Sequence, residues 1–495
     1  MSASKSDDPE LELERLRALV RVADIQILQS EYDEAQKNYR IAITEFQARV
    51  DKSTSNDRIA LLWRIELVKT IGRLAFAIDD LEGMSEESQT LFALAISRLR
   101  ALAVANPKSS DVHAALGKTL IRAVNSRLMI EKPAAALQMI DEALTSLEHG
   151  DLAQDSVLAL LRIQANQNRA QALGKLNRND EAITTIEQTL TSIAEFVVGQ
   201  KAERAWFNAQ ANSQELRAAI HRRMGSFKLA LQDLVAASKT YEQLKQEWPD
   251  NIDYRALASG ASTNVGLLLL DENRPFEAIP YFASSRKNFL ELRTEYPRIE
   301  RYGDGLGTAL SGLGQAELRT NAEADVPIAL LSESDVLYGS LAKQQSESGT
   351  IPTNSLAKLA SVRGQLAQAY QRKGNTPEAT HWYSESESLF QELIDIDREN
   401  SDYQYAMAEV EWRRGALEWD DEDHGVANNL ILSSLDRMRL LALEHSENAQ
   451  YHFRLAAILI HGPNITMENS REAEKHLQNA TELQPTNLEF MNLWA

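Results

Sequence analysis

A small residue, an apolar residue four positions on and a small residue three further on form a triplet that recurs through the chain. It reads Ala35/Tyr39/Ala42, Ser88/Phe92/Ala95, Ala136/Ile140/Ala143, Ala182/Ile186/Thr189 and Ala230/Leu234/Ala237, then Ala278/Phe282/Ser285, Ala379/Tyr383/Ser386, Ala427/Ile431/Ser434 and Ala473/Leu477/Ala480. A weaker copy, Ala329/Glu333/Val336, fills the one gap, so ten anchors run from Ala35 to Ala473 at steps of 46 to 53 residues. Offsets of four and seven bring three side chains to one helix face, and the triplets therefore predict the buried stripe of a helix, B. A second small residue lies twelve before the anchor in six units, at Ala23, Ala170, Ala218, Gly266, Ala367 and Gly415, which predicts a partner helix, A. Small residues at both places let two antiparallel backbones approach closely where they cross. The predicted unit is a helical hairpin, repeated about ten times.

Turn chemistry agrees with the periodicity. Asn179-Asp180-Glu181 and Thr376-Pro377-Glu378 each place a capping residue and first-turn acids or proline immediately before helix B. The run Leu173-Gly174-Lys175-Leu176-Asn177-Arg178-Asn179-Asp180-Glu181-Ala182-Ile183 resembles the turn of a tetratricopeptide repeat, as does the run from Leu366 through Lys373-Gly374-Asn375-Thr376-Pro377-Glu378 to Ala379. That family uses a unit of about 34 residues, so this chain departs from it in length. Pro107, Pro249 and Pro297 each fall nineteen residues after their anchors, later than the family's proline, and roughly seven extra residues amount to two whole turns that keep the same face inward. The expectation is an all-α solenoid, a tetratricopeptide-like right-handed superhelix with elongated helices, covering Leu11 to Leu483. The stretch Tyr254-Arg255-Ala256-Leu257-Ala258, with Asn264-Val265-Gly266-Leu267-Leu268 and Asn273-Arg274-Pro275-Phe276-Glu277-Ala278, also looks like the long-helix repeats in C-terminal regions of bacterial, planctomycete-type serine/threonine kinases. The sequence carries no kinase motif.

Breaks in the pattern suggest boundaries: a disordered tail over residues 1–10, a block of repeats over 11–302, an irregular repeat and linker over 303–353, and a second block over 354–495. Glycines 303, 305, 307, 312 and 314 and the run Ser346-Glu347-Ser348-Gly349-Thr350-Ile351-Pro352 read as turns, and a bend is expected there. The polar stretch Asp51 to Asp57 reads as another loop.

Composition narrows the class further. The 495 residues include 52 Lys and Arg, 72 Asp and Glu and no Cys, for a net charge of −20, so disulfide and thiolate chemistry are excluded. Such an excess repels phosphate backbones and anionic lipid, and no basic stripe is visible in the sequence; basic or neutral partners are expected, not nucleic acid. The strongest apolar run, Val265 to Leu270, is far below the ~20 residues of a membrane helix, so no membrane insertion by this chain is expected. Without a leader pattern over Met1 to Pro9 the location expected is cytoplasmic, or the far side of a membrane if the chain is a piece of something larger.

No catalytic, metal or cofactor set emerges. Leu116-Gly117-Lys118-Thr119 lacks the upstream glycine and strand of a phosphate-binding loop and reads as helix interior. Gly303-Asp304-Gly305-Leu306-Gly307 reads as a turn. Asp420-Asp421-Glu422-Asp423-His424 reads as a solvated acidic turn, without the alternation of a calcium loop. His445 and His452 read as surface or helix-end histidines, lacking a third zinc ligand. The expected function is therefore a non-catalytic scaffold that binds a peptide or protein partner, with a sensor or regulatory region of a signalling kinase as the alternative. The resemblance implies that helix A lines the concave, ligand-facing side. Carried onto this sequence, it points to Gln164, Gln167, Asn168, Gln171 and Lys175, then Asn212, Glu215, Arg222 and Arg223, then Asn264, and later Gln365, Gln368, Gln371 and Arg372. A ladder of amides can pair with the backbone of an extended peptide whatever its side chains. The Lys and Asn of carboxylate-clamp relatives are replaced here by Gln167 and Gln171.

Overall fold

The computed structural model describes residues 8–29, 31–53, 58–82, 85–124, 132–148, 156–199, 204–297, 299–320, 323–347, 351–419, 424–462 and 466–484. Among them there are twenty helices and no strand: α1 (Pro9–Leu28), α2 (Tyr32–Lys52), α3 (Arg58–Glu82), α4 (Glu86–Ala105), α5 (Ser110–Ala123), α6 (Pro133–Leu147), α7 (Ser156–Lys175), α8 (Asn179–Gly199), α9 (Arg204–Arg223), α10 (Phe227–Glu247), α11 (Ile252–Asp271), α12 (Pro275–Glu295), α13 (Glu300–Arg319), α14 (Asp325–Glu347), α15 (Thr353–Arg372), α16 (Thr376–Ile396), α17 (Ser401–Glu418), α18 (His424–Glu444), α19 (Ala449–His461) and α20 (Met467–Leu483). The chain is an all-α solenoid of successive hairpins, and it forms two compact units, Met1–Ile220 and His221–Ala495. The division falls inside α9, at its last turn.

Within the first unit each helix from α1 to α8 packs on the next, and α1 touches α3, α3 touches α5, and α5 touches α7. Within the second unit the same holds from α10 to α20, with α11 on α13, α13 on α15 and α15 on α17. First helices thus form a continuous layer in each unit, with second helices packed outside it. All nine strong triplets are buried, and Ala23, Ala170, Ala218, Gly266, Ala367 and Gly415 lie buried opposite them. Fully enclosing rings such as Phe282 and Tyr383 is worth on the order of 1.5–3 kcal/mol each, so the triplets carry much of the cohesion between neighbours. Helix B runs 20 or 21 residues in α2, α4, α8, α10, α12, α16 and α18, longer than a 34-residue repeat accommodates. Pro107, Pro249 and Pro297 each stand two residues past the end of their helix, at α4, α10 and α12.

Four of the turns from helix A to helix B share one geometry. Asn177 (φ 58°), Gly225 (φ 71°), Asn273 (φ 54°) and Gly374 (φ 77°) are left-handed, and each lies five residues before its anchor. The following amide closes the helix end in every case: Arg178 to Leu173, Ser226 to His221, Arg274 to Leu269 and Asn375 to Tyr370, at 2.8 to 3.0 Å. This six-residue closure satisfies carbonyls that the helix end would leave open, and only Gly or Asn enters it without strain.

A second repeated contact locks hairpins in the second unit. Ser334 Oγ donates to the Gly307 carbonyl at 3.0 Å, Ser386 Oγ to Ala360 at 2.7 Å and Ser434 Oγ to Ala408 at 2.7 Å. Ser285 instead shares a hydrogen bond with Thr263 at 2.6 Å. The last residue of the triplet is thus small for packing and, when serine, also a bridge between helices.

Three expectations change. The weak triplet Ala329/Glu333/Val336 is not the buried one; α14 buries Pro327, Leu331 and Ser334, the same spacing two residues earlier, with proline filling the small position. Glycines 303 to 314 do not form turns. They lie inside α13, because the neighbouring rings demand their missing side chains: a Cβ at Gly305 would stand 2.5 Å from Phe289 Cζ and one at Gly307 2.6 Å from Tyr338 Cζ. His452 is buried rather than at the surface, with Nδ1 2.8 Å from His476 Nδ1, because α20, the second helix of its own hairpin, packs over it. Residues 420–423 of the acidic run and residues 348–350 of the linker run lie outside the described residues.

Candidate functional site

In the second unit, first helices α13, α15, α17 and α19 line a groove of about 690 Å³, closed at its floor by Tyr383 and Phe390 of α16. Its walls carry Gln315, Leu318 and Arg319 from α13, Ser361 to Arg372 from α15, Tyr405 to Arg413 from α17, and Arg454 from α19. Four of the residues picked out from sequence meet here: Gln365, Gln368, Gln371 and Arg372. They share the inward side because α15 offers positions 365, 368 and 372, three and four apart, to one face.

Each amide in the groove keeps part of its hydrogen-bonding capacity. Gln365 Oε1 accepts from Ser311 Oγ at 2.9 Å and Gln371 Oε1 accepts from Tyr383 Oη at 3.2 Å, so both retain their amide hydrogens. Gln368 Nε2 donates to the Gly364 carbonyl at 3.3 Å and retains its oxygen. Burial pushes the Tyr383 hydroxyl up to about 12, which keeps it a donor at any physiological pH.

Four arginines and one carboxylate set the charge of the lining. Glu409 is held between Arg454 at 3.1 Å and Arg413 at 3.5 Å, and Arg454 Nε also donates to Tyr405 Oη at 3.2 Å. Arg319 donates to the Leu270 carbonyl at 2.6 Å, and Arg372 donates to that of Leu318. Arg319 and Arg372 thus each span to the end of the preceding first helix, where the dipole favours a cation. The sequence showed no basic stripe because Arg319, Arg372, Arg413 and Arg454 are 53, 41 and 41 residues apart; stacking of hairpins brings them together. Sequence reasoning also missed Tyr405 and Glu409, whose only signal was the helix-A register of α17 counted back from Ala427.

The other predicted residues lie elsewhere. In the first unit Gln164, Gln171 and Lys175 are exposed on α7, and Asn168 and Asn212 are half-buried. Gln167 is engaged within the fold: Nε2 donates to the Ala209 carbonyl at 2.9 Å and to Ser213 Oγ at 2.9 Å, tying α7 to α9. In the second unit Arg222 and Arg223 are exposed at the end of α9, and Asn264 is exposed on α11. Arg222 reaches Asp271 at 2.7 Å. Burial raises the Asp271 carboxyl in spite of Arg222 and Arg319 nearby.

Among the described residues no helix is long and apolar enough to cross a membrane. No family model matches the sequence, and no curated protein matches it. The hairpin array nevertheless defines an all-α helical-repeat protein of the tetratricopeptide-like class. A likeness to solved structures agrees: the apo form of RapI superposes with a TM-score of 0.53 at 12% identity, covering 84% of this chain and 98% of that one. A Rap protein complexed with competence and sporulation factor gives 0.46 at 12% identity, covering 87% and 99%. The human IFIT1 dimer with PPP-AAAA gives 0.36 at 13% identity, covering 98% and 96%.

Proposed function

We propose that the chain is a non-catalytic interaction scaffold whose second unit holds an extended peptide segment of a partner protein along the α13–α15–α17–α19 face. The observation that carries this reading is the row Gln365, Gln368 and Gln371 along one wall of a groove that four arginines also line. Uncommitted amide donors and acceptors match the alternating N–H and C=O groups of an extended backbone, which gives affinity independent of sequence. Arg319, Arg372, Arg413 and Arg454 then select acidic side chains over basic ones, by opposite charge in a partly desolvated channel. This preference runs against the net charge of −20, because a ligand in the groove meets the local field before the distant one. Rap proteins have been solved with bound peptides, as the complexes with the Phr* peptide and with competence and sporulation factor show for those proteins.

Panning a library of linear displayed peptides against the full chain tests the reading. Enriched acidic sequences that bind at least ten-fold more weakly to a Gln365→Ala, Gln368→Ala, Arg413→Ala variant support it. Absence of enrichment, or equal binding to the variant, refutes it.

A further inference from the structure

The first unit carries a different chemistry on its own first-helix layer. Helices α3 and α5 pack closely at Gly72, where an added Cβ would stand 3.2 Å from Thr119 Cγ2. The residues flanking this crossing are Arg73 and Lys118, and Lys69 and Arg122 lie one turn from them on the same helices. Four cations therefore converge on one place in a chain that has twenty more acids than bases.

The carboxylates nearby do not balance them. Asp24 of α1 holds Arg73 at 2.9 Å and accepts from Tyr39 Oη at 2.7 Å. Glu66 takes Lys69 at 2.9 Å and Arg17 at 3.0 Å. Among the described residues Lys118 and Arg122, both half-buried, have no hydrogen bond or ion pair, and Arg73 Nε is buried without an acceptor. Burial, followed by repulsion from Arg122, Arg73 and Lys69, lowers the Lys118 ammonium to about 8, and burial with Arg73 lowers Arg122 as well, with Asp24 acting the other way on both without offsetting it. A cation that loses water without gaining a partner is a cost that a bound anion removes.

We infer that Lys118, Arg122 and Arg73 form an oxyanion site for a phosphate-class dianion. Two uncompensated charges call for a ligand of charge about −2 at neutral pH, and donors arriving from two helices call for more than two acceptor oxygens. A tetrahedral phosphoryl group supplies both, whereas a carboxylate has two oxygens and one charge. Asp24, itself held by Tyr39, pairs with Arg73 Nη1 and leaves Arg73 Nε without an acceptor. The site belongs to the first unit and the peptide groove to the second, and they share no residue, so either can fail without the other.

Calorimetric titration of the full chain at constant ionic strength, with inorganic phosphate, O-phosphoserine and acetate as probes, tests the inference. Saturable binding of a phosphoryl probe is expected, at least ten-fold tighter than acetate and at least ten-fold weaker in Lys118→Met. Tighter binding of O-phosphoserine than of inorganic phosphate assigns the site to phosphate esters, and the reverse order assigns it to the free ion. Without ligand, Lys118→Met should melt above the wild type, since it deletes an unpaired like charge; lost binding in a variant that melts higher is not misfolding. No binding of either phosphoryl probe, equal affinity for acetate, unchanged binding in Lys118→Met, or a lower melting temperature of that variant overturns the proposal.

Discussion

Phe282 sits between two glycines: a Cβ at Gly312 would stand 2.3 Å from its Cε1, and one at Gly266 would stand 2.8 Å from its Cζ. The ring of α12 thereby enters the backbones of α11 and α13 at once, and three consecutive helices interlock around one side chain. Glycine in mid-helix costs about 1 kcal/mol relative to alanine, and here the packing outweighs that loss. Gly312→Ala is expected to destabilise the second unit by about 1–3 kcal/mol through overpacking, because the ring has no side to retreat to. Gly260→Ala and Gly339→Ala should instead stabilise by up to about 1 kcal/mol, since open space surrounds both positions. Urea midpoints of the three variants check the opposite signs.

Ser386→Ala removes the hydrogen bond from Oγ to the Ala360 carbonyl, 2.7 Å long and fully buried. The carbonyl keeps its own helical partner, so the loss is expected to be modest, about 1 kcal/mol. Amide exchange in α15 and α16 should quicken together. Unchanged exchange would show that the bridge contributes only packing.

Gln167→Ala cuts the tie between α7 and α9 and should destabilise the first unit by about 1–2 kcal/mol. Gln171→Ala, exposed on the same helix, should leave the midpoint within about 0.5 kcal/mol of wild type. Equal midpoints for both variants would mean that Gln167 has no structural role.

His452 and His476 face each other through Nδ1 at 2.8 Å, with His452 Nε2 against the Ser446 carbonyl at 3.0 Å. Burial first, and His452 second, lower His476 from 6.5, while Glu472 acts the other way and Lys475 and Arg439 add to the lowering. Below pH 6.5 the unfolded chain takes up a proton that the folded site resists. Stability of the last hairpin should therefore fall as pH drops from 6.5 to the lower folded value, and remain full above 6.5. Hydrogen exchange across α19 and α20 at pH 7.5 and 5.5 reads this. His476→Asn should flatten the difference, and an equal pH response in variant and wild type would rule the pair out as its origin.

The hairpins themselves were legible because close crossing leaves a mark in one dimension: small residues such as Ala35, Ala182 and Ala427 are fully buried where the helices meet, so the mark recurs with the repeat. The rule failed at α14, where Pro327 takes the small position, and at α13, where five glycines looked like turns. A glycine admits both a turn and an intimate helix contact, and only the position of Phe282, Phe289 and Tyr338 decides between them.

Amino-acid order alone determined the class of fold, the count of hairpins and the register of Gln365, Gln368 and Arg372, since helical spacing is a local property. Tertiary packing decided what those faces do. It gathered four arginines from 41 to 53 residues apart into one groove, gave Gln167 a structural partner in place of an open face, and left Lys118 and Arg122 side by side without a counter-ion. Charge pairing and desolvation depend on distance in space, and residues a repeat or more apart in sequence become neighbours only when the hairpins stack.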